Sequence, residues 1–229
     1  MSKHSLAFIQ DSLRQTETFA RLSEAAIALL ATKVSLLHYE RGEILYHQGD
    51  RVRYIYFVHE GLVKVSRVDE EGREMVVSLL GPKQVFPHVG FFEPIPYPGS
   101  AQVILDGLYG VIRVSDLQEV MQKDPAVSIA IVDILGRKIL ELQERLVSFG
   151  VTSVHDRLLR FLRQFAALQG QADPKGTHIY LPMTHQEIGN LVGATRETIN
   201  RSFAKLKQEG LVFPLENGHW LIHDSLRGE

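Results

Sequence analysis

The sequence predicts an α+β protein in three parts: an N-terminal roll of short strands, a long helix and a small C-terminal helical domain with a β-hairpin. Short β-rich runs punctuated by glycine occupy roughly residues 34–114. An apolar heptad pattern follows in residues 126–150. Two short helical patterns joined by a glycine, and then an Asn-Gly pair, lie near the C-terminus. We therefore place domain boundaries at 1–125, 126–150 and 151–229.

Composition excludes several classes of protein. The chain has 229 residues, a formal net charge of −2, 45% hydrophobic residues and no cysteine. Absence of cysteine excludes disulfides, thiolate zinc sites and cysteine nucleophiles. No apolar run approaches the roughly 18 residues of a membrane span, and Met1–Ser12 lacks the basic and apolar regions of a secretory signal. We therefore expect a cytoplasmic protein without membrane contact.

The N-terminal part begins with a helical stretch, Leu6–Lys33, and continues as a small barrel or roll of the double-stranded jelly-roll type. Asp69–Gly72 reads as a hairpin turn in which glycine supplies positive φ. The predicted strands are Ile44–His47, Tyr54–His59, Leu62–Val68, Glu74–Leu80, Val103–Leu105 and Tyr109–Arg113.

The long helix is expected to start near Pro125 and to end at Gly150, a C′ glycine. Its apolar residues recur at alternating spacings of three and four, which is the heptad pattern of a helix that pairs with another helix. Two interpretations are open: the helix packs on its own roll, or it pairs with a second copy of the chain. The narrow stripe and its charged flanks favour the second copy, with each buried side chain contributing about 1–2 kcal/mol. The predicted dimer contacts are Val132, Leu135, Ile139, Leu142, Leu146 and Phe149.

The C-terminal part contains a helix-turn-helix pattern. Thr184 and Glu187 have the spacing of a capping box, which starts a first helix. Gly193 permits the left-handed turn that follows, and Thr195 can cap a second helix that runs to Gln208. A hairpin around Asn217-Gly218 follows as a wing. The predicted fold is thus an N-terminal β-roll, a long dimerisation helix and a C-terminal winged helix-turn-helix.

The second helix carries side chains suited to reading base edges. Arginine can bond guanine, glutamate can accept from cytosine and asparagine can read adenine in the major groove. The alternative is a solvated face with an ion pair between Glu197 and Arg201. Capping, glycine turn and polar face coincide, which favours DNA. The predicted base contacts are Arg196, Glu197, Asn200 and Arg201. The predicted phosphate contacts are Thr184, His185, Gln186, Thr195, Thr198 and Lys205, with Arg196 and Lys207 as further candidates.

Residues 184–201, Thr-His-Gln-Glu-Ile-Gly-Asn-Leu-Val-Gly-Ala-Thr-Arg-Glu-Thr-Ile-Asn-Arg, resemble the DNA-binding motif of the CRP/FNR family of bacterial transcription regulators. Residues 42–50 and 56–65 resemble that family's cyclic-nucleotide-binding-type roll. The resemblance implies a homodimer, double-stranded DNA as partner, a near-palindromic operator with TGTGA-like half-sites about 34 Å apart, and RNA polymerase as a further partner. His185 stands where the closest members have arginine, which weakens one expected phosphate contact.

The resemblance also locates an effector pocket, but its ligands are replaced. The family's cyclic-nucleotide sensors use Gly-Glu and then Arg followed by Ser or Thr. Here Pro87-His88 replaces Gly-Glu, and Pro98-Gly99 precedes Ser100 where the arginine belongs. A buried phosphate without a paired cation is costly, so we predict no physiological cyclic-nucleotide binding. The roll then binds another ligand, responds to a partner or needs no effector.

Other functions find little support in the sequence. A haem-sensing relative suggests His88 as an axial ligand, but a hydrogen-bonded histidine is the simpler interpretation and we predict no cofactor. The histidines form no i, i+4 pair or HExxH, so no metal site is expected. Neither a P-loop nor a Gly-x-Ser-x-Gly motif occurs, so we predict no enzyme. The remaining alternative is a small-molecule sensor that acts through a protein partner and has a degenerate DNA-binding domain.

Overall fold

The protein is described from a computed structural model that covers residues 5–16, 18–93 and 95–224. The chain forms two compact units, one of residues 1–74 and 78–143 and the other of residues 75–77 and 144–229. In the described ranges, no helix combines the length and the apolar character needed to span a membrane.

The first unit begins with three short helical segments rather than the single stretch predicted from Leu6 to Lys33. Helix α1 spans Leu6–Gln15, a 3₁₀ turn spans Phe19–Arg21 and helix α2 spans Glu24–Ala31. Ser23 caps α2, because its side chain accepts a hydrogen bond from the Ala26 amide. This internal cap explains why the helical pattern is interrupted.

In the described residues of the first unit, eight strands form the roll. Two of them, β1 and β6, were not predicted from the sequence. The strands are β1 Ser35–Tyr39, β2 Ile44–Tyr46, β3 Tyr54–Val58, β4 Leu62–Val68, β5 Glu74–Leu80, β6 Val85–Phe86, β7 Ser100–Leu105 and β8 Gly107–Arg113. They make two four-stranded sheets, in the orders β1-β8-β3-β6 and β2-β7-β4-β5.

The core of the roll is aromatic as well as aliphatic. Phe57 lies opposite Gly110 in the β3–β8 register, and a side chain on Gly110 would overlap the Phe57 ring. Tyr46 and Tyr97 stack with their ring centroids 3.7 Å apart, and both are buried. Burial raises the pKa of both phenols above its ordinary value. The Phe57 ring can therefore pack across β8 only because residue 110 has no side chain.

Two helices follow the roll. Helix α3, Val114–Lys123, was not predicted, whereas helix α4, Pro125–Val151, begins where Pro125 indicated. The prediction that α4 ends at Gly150 is wrong, because the helix continues through that glycine to Val151. The first half of α4 packs on the roll through Val127, Ile131 and Ile134, each of which is buried.

The second unit is helical with one small sheet. Helix α5 spans Val154–Gln169, α6 spans His185–Val192 and α7 spans Arg196–Gln208. The strands are β9 Gln171–Asp173, β10 Gly176–Tyr180, β11 Val212–Pro214 and β12 His219–Ile222, in the order β11-β12-β10-β9. Strand β9, which lies in a polar stretch containing Gly170, Pro174 and Gly176, pairs antiparallel with β10.

Candidate nucleic-acid interface

Helix α6 starts at the predicted capping box. The Glu187 amide donates to the Thr184 hydroxyl at 3.2 Å, and the Thr184 amide donates to the Glu187 carboxylate at 2.8 Å. The Thr184 hydroxyl also donates to that carboxylate at 3.0 Å. These bonds fix the first turn of α6 and occupy the side chain of Thr184.

The turn between α6 and α7 depends on two glycines. Gly193 has φ 70° and ψ 51°, the left-handed conformation predicted for it. Gly189, inside α6, was not singled out from the sequence. A Cβ on Gly189 would lie 2.5 Å from the Ala194 carbonyl oxygen, and the Ala194 amide donates to the Gly189 carbonyl at 2.8 Å. The turn can therefore fold back on α6 only because residue 189 has no side chain.

Two arginines bind the carbonyl groups at the end of α6. Arg157, on α5, donates through Nε to the Val192 carbonyl at 2.7 Å and through a terminal nitrogen to the Gly193 carbonyl at 3.2 Å. Arg145 donates to the Leu191 carbonyl at 2.6 Å. The last carbonyls of a helix lack partners within the helix, so these guanidinium groups stabilise the turn that aims α7. Sequence reasoning missed both residues because nothing local to α6 points to them.

Helix α7 presents the predicted base-reading side chains on its exposed surface. Thr195 caps the helix by accepting from the Thr198 amide at 3.2 Å. On the opposite side Ile199, Phe203 and Leu206 are buried. In the part of the chain that the structure describes, no ion pair joins Glu197 to Arg201, so the structure does not contain the pair that the alternative required. The exposed residues are Arg196, Glu197, Asn200 and Arg201.

His185 lies beside Asn200 and makes contacts that the sequence did not indicate. Its Nδ1 is hydrogen-bonded to the Asn200 side-chain oxygen. Its ring stacks on Phe203, with centroids 4.8 Å apart and planes 13° apart. The predicted phosphate contact through His185 thus competes with a contact inside the protein, because the imidazole is already used to hold Asn200.

The other side chains predicted to contact phosphate also have partners within the protein. The hydroxyls of Thr195 and Thr198 lie 2.9 Å apart in the N-terminal cap of α7. Gln186 is exposed and donates to Asn190 at 3.1 Å. The Lys205 ammonium is 3.7 Å from Glu209, whose carboxylate is also 3.4 Å from His155. The positive charge of Lys205 is therefore compensated by the neighbouring carboxylate of Glu209.

The wing is attached to α7 by aromatic contacts. Strands β11 and β12 are joined by a short 3₁₀ turn at Glu216–Gly218, in which Asn217 has φ 56° and Gly218 has φ 80°. The Trp220 ring of β12 lies 4.9 Å from Phe203, and the Lys207 ammonium lies 5.3 Å from the centroid of the Trp220 ring. Helix α7 and the wing thus share one cluster of rings.

Helix α4 exposes an apolar stripe that includes most of the predicted dimer contacts. Leu135 differs, since it is half-buried against the core of its own roll. The side chain of Phe149 lies outside the described residues. The stripe is also wider than predicted, because Ile129, Leu140 and Val147 are exposed beside it, with Ile129 at 70%. The exposed residues among the predicted contacts are Val132, Ile139, Leu142 and Leu146.

The predicted effector pocket has no arginine, and its loop is closely packed. A Cβ on Gly99 would lie 2.6 Å from the Ser66 carbonyl oxygen, so this backbone position has no room for a side chain. Ser100 accepts a hydrogen bond from the Gln48 amide at 2.9 Å. Pro98 is exposed next to them. Gly99 is therefore packed against the backbone of Ser66, and Ser100 is bonded to the backbone of Gln48.

His88 is half-buried near a cation from helix α4. Burial, and next the Lys138 ammonium, lower the pKa of His88 to about 4, while Glu141 opposes the shift. Lys138 is itself bonded to Glu141 at 2.7 and 2.9 Å. Pro87 precedes His88 and is buried.

Within the described ranges, no cluster of three or more histidine or acidic side chains could hold a metal ion.

Comparison with known families agrees with both units. The cyclic nucleotide-binding domain family matches residues 36–124, and the Crp-like helix-turn-helix domain family matches residues 156–225. The CRP-like cAMP-activated global transcriptional regulator of Mycobacterium tuberculosis is 27% identical over 219 residues, which cover 96% of this chain and 97% of that protein. The cAMP-activated global transcriptional regulator CRP of Haemophilus influenzae is 26% identical over 212 residues, covering 91% and 93%.

Solved structures show the same fold. FixK2 from Bradyrhizobium japonicum superposes with a TM-score of 0.71 at 20% identity, covering 85% of this chain and 94% of that one. The global regulator CLP from Xanthomonas campestris has a TM-score of 0.71 at 21% identity, covering 88% and 99%. Together with the roll, the helix-turn-helix and the two family matches, which cover more than half of the sequence, these likenesses assign the fold. The chain belongs to the CRP/FNR family of bacterial transcription regulators.

Proposed function

We propose that the protein is a homodimeric, sequence-specific transcription regulator that reads a near-palindromic operator with TGTGA-like half-sites through α7. The observation that carries this proposal is the exposed face of α7, where Arg196, Glu197, Asn200 and Arg201 follow a capped and arginine-stabilised turn. Base-edge donors and acceptors on the first turns of a second helix are the arrangement used for major-groove reading.

The apolar stripe of α4 supports the homodimer. Leu146 is 69% exposed and Val132 is 59% exposed, although both lie in a long helix whose opposite face is buried in the first half. Exposed leucine and valine at heptad spacing are stabilised when a second helix covers them. A twofold dimer would present two copies of α7 to half-sites one helical turn apart, about 34 Å. RNA polymerase, as the family resemblance implies, is the expected partner at the promoter.

The packing at Gly99 and Ser100 supports independence from cyclic nucleotides. The relatives from Mycobacterium tuberculosis and Haemophilus influenzae are named as cAMP-activated. In this chain the phosphate-binding arginine is replaced by a glycine that has no room for a side chain. Lys138, which lies near His88, is neutralised by Glu141. A buried cyclic phosphate would therefore lack a free cation, which is unfavourable.

Selection of bound duplexes from a random pool, followed by fluorescence anisotropy at several salt concentrations, tests the DNA proposal. We expect a palindromic consensus and an affinity that falls steeply with salt, since phosphate contacts release counterions. The second candidate, a small-molecule sensor acting through a protein partner, predicts no duplex binding even at low salt. Failure to bind any duplex under those conditions would overturn the DNA proposal.

Sedimentation equilibrium tests the dimer. Leu142→Glu and Leu146→Glu place charges in the stripe and should convert the protein to a monomer that binds the operator weakly. Glu144→Lys, which changes charge on the same helix outside the stripe, is the matched control and should leave the dimer intact. A wild-type protein that sediments as a monomer at micromolar concentration would refute this part of the proposal.

Titration calorimetry tests independence from cyclic nucleotides. We expect no heat of binding with cAMP or cGMP at micromolar concentrations and no change in operator affinity when either is added. Micromolar binding accompanied by a change in operator affinity would show that the roll senses cyclic nucleotides by ligands other than the family's arginine.

A further inference from the structure

The roll carries an open cleft that none of the preceding functions uses. Its volume is about 470 Å³, which lies within the range of small-molecule sites. It is formed where the start of β3 meets the end of β8 and the first turn of α3. Three arginines and two exposed aromatic rings line it, together with the buried Val52. The polar and aromatic lining residues are Arg51, Arg53, Arg113, Tyr54, Phe92 and Gln118.

Hydrogen bonds connect the backbone segments around the cleft. Tyr54 and Arg113 are register partners on β3 and β8. The Val114 amide donates to the Arg53 carbonyl at 3.0 Å, and Gln118 donates to the Phe91 carbonyl at 2.9 Å. Strand, helix and loop are thus bonded to one another around the cleft. A site whose backbone is fixed before a ligand arrives loses less entropy on binding.

The side chain of Tyr97 also holds the backbone that carries two of the cleft residues. Its hydroxyl accepts from the Arg53 and Tyr54 amides at 3.4 Å each and donates to the Tyr54 carbonyl at 3.2 Å. Its ring is stacked on Tyr46 in the core. The segment that carries Arg53 and Tyr54 is therefore anchored to the interior of the roll and not only to the neighbouring strand.

The three guanidinium groups carry uncompensated positive charge. Within residues 5–16, 18–93 and 95–224, none of Arg51, Arg53 and Arg113 forms an ion pair or a side-chain hydrogen bond. The acidic residues of α3 are compensated by lysines instead: Glu119 bonds Lys33 at 2.8 Å and Lys123 at 2.6 Å. Like charges grouped without counter-charges repel one another, and an anion would relieve that repulsion.

The aromatic rings narrow the class of ligand. Phe92 is 56% exposed and Tyr54 is 36% exposed at the same cleft. Exposed rings beside arginines suit a ligand that combines a planar apolar group with phosphates, because rings stack and guanidinium groups bind phosphate oxygens in pairs. We propose that this cleft binds a nucleoside polyphosphate, with its base against Phe92 and Tyr54 and its phosphates on Arg51, Arg53 and Arg113.

This site differs from the predicted effector pocket in residues and in chemistry. That pocket centres on His88 and Gly99, which do not line the cleft. It has also lost its arginine, whereas the cleft has three. A cyclic monophosphate, with a single negative charge, uses fewer of these guanidinium groups than a triphosphate does. The site therefore selects for the number of charges on the ligand.

Titration calorimetry of the full-length protein with ATP, GTP, tripolyphosphate, AMP and cAMP tests the proposal. We expect saturable binding of ATP or GTP, weaker binding of tripolyphosphate, which lacks the ring, and still weaker binding of AMP and cAMP. Arg53→Gln and Arg113→Gln should each weaken ATP binding about tenfold or more. Phe92→Ala should reduce the preference for ATP over tripolyphosphate. Arg21→Gln, an exposed arginine of the same unit, is the matched control and should bind ATP as the wild type does.

Three results would overturn the proposal. One is the absence of saturable binding by ATP, GTP and tripolyphosphate up to millimolar concentration at low salt. Another is binding that Arg53→Gln and Arg113→Gln leave unchanged, which would place the nucleotide elsewhere. The third is loss of binding that Arg21→Gln shares, which would reflect net charge rather than a site. Thermal unfolding of each variant, followed by circular dichroism, ensures that only folded proteins are compared.

Discussion

His185 at the start of α6 and Asn200 in α7 are joined by a hydrogen bond between the imidazole Nδ1 and the amide oxygen. The amide oxygen can only accept, so this bond uses the tautomer of His185 in which Nδ1 carries the hydrogen. Reading adenine requires an asparagine to offer both its oxygen and its NH₂ group in a fixed orientation. His185 thus sets the direction in which Asn200 faces, while its ring rests on Phe203.

Replacing His185 should relax base preference at one operator position. In His185→Ala, Asn200 loses its orienting donor, so we expect discrimination among bases at that position to fall by about 1 kcal/mol. His185→Gln retains a donor and should preserve part of the preference. Anisotropy with operators substituted at each position measures the effect. An equal loss of affinity for every duplex would instead make His185 a phosphate contact, as the sequence predicts.

Arg201→Ala should weaken binding to the selected operator by about 1–3 kcal/mol and remove preference at one base pair. The side chain is exposed and carries no ion pair to Glu197, so its loss does not expose a buried partner. Arg163→Ala, an exposed arginine on α5, is the control and should bind as the wild type does. A uniform loss on specific and nonspecific duplexes would assign Arg201 to the phosphate backbone.

Arg157→Gln should lower both the stability of the C-terminal unit and operator affinity. The variant loses the two bonds to the Val192 and Gly193 carbonyls, and we expect the free energy of unfolding to fall by about 1–3 kcal/mol. Urea unfolding and anisotropy measure the two effects. Arg163→Gln on the same helix should change neither quantity. Normal affinity in Arg157→Gln would show that the α6–α7 turn needs no support from α5.

Gly189→Ala should be more damaging than an ordinary alanine substitution in a helix. Its Cβ would press on the Ala194 carbonyl oxygen, so α6 and the turn must separate, at a cost of about 1–3 kcal/mol. Asn190→Ala, the next residue in the same helix, should leave the free energy of unfolding within about 0.5 kcal/mol of the wild type. Similar stabilities for the two variants would contradict the close approach seen at Gly189.

His88 should make the protein less stable in mild acid. Its folded pKa of about 4 is lower than the ordinary value of 6.5, so the unfolded chain takes up the proton first as the pH falls. The stabilising difference is complete above about pH 6.5 and is lost progressively toward pH 4. Between pH 7.5 and pH 5 the wild type should lose about 2 kcal/mol more than His88→Gln in urea unfolding. Parallel pH profiles for the two proteins would show that His88 titrates normally.

Local chemistry explains which features could be predicted from the sequence. Three features were predicted correctly: the Thr184 capping box, the Gly193 turn and the helix start at Pro125. Each of them is specified by residues that lie within about four positions of each other in its own segment. The face of α7 follows from helical spacing in the same way. The β-roll was predicted as a class, from the density of short strands and glycines.

Features that depend on distant partners were missed. Arg157 is 35 residues away in sequence from the carbonyl it binds at Val192. Strand β6 has only two residues and exists because β3 pairs with it. Helix α3 carries a short amphipathic pattern directly after β8, where no proline or glycine separates it from the strand. The cleft arginines are scattered at 51, 53 and 113, and only the β3–β8 register unites them.

The column of rings formed by His185, Phe203 and Trp220 connects α6, α7 and β12. We therefore expect the hairpin and α7 to move together. Contacts with the sugar-phosphate backbone and contacts of α7 with the bases should then form together. A substitution at Trp220 should therefore change the preference for bases that the tryptophan does not contact.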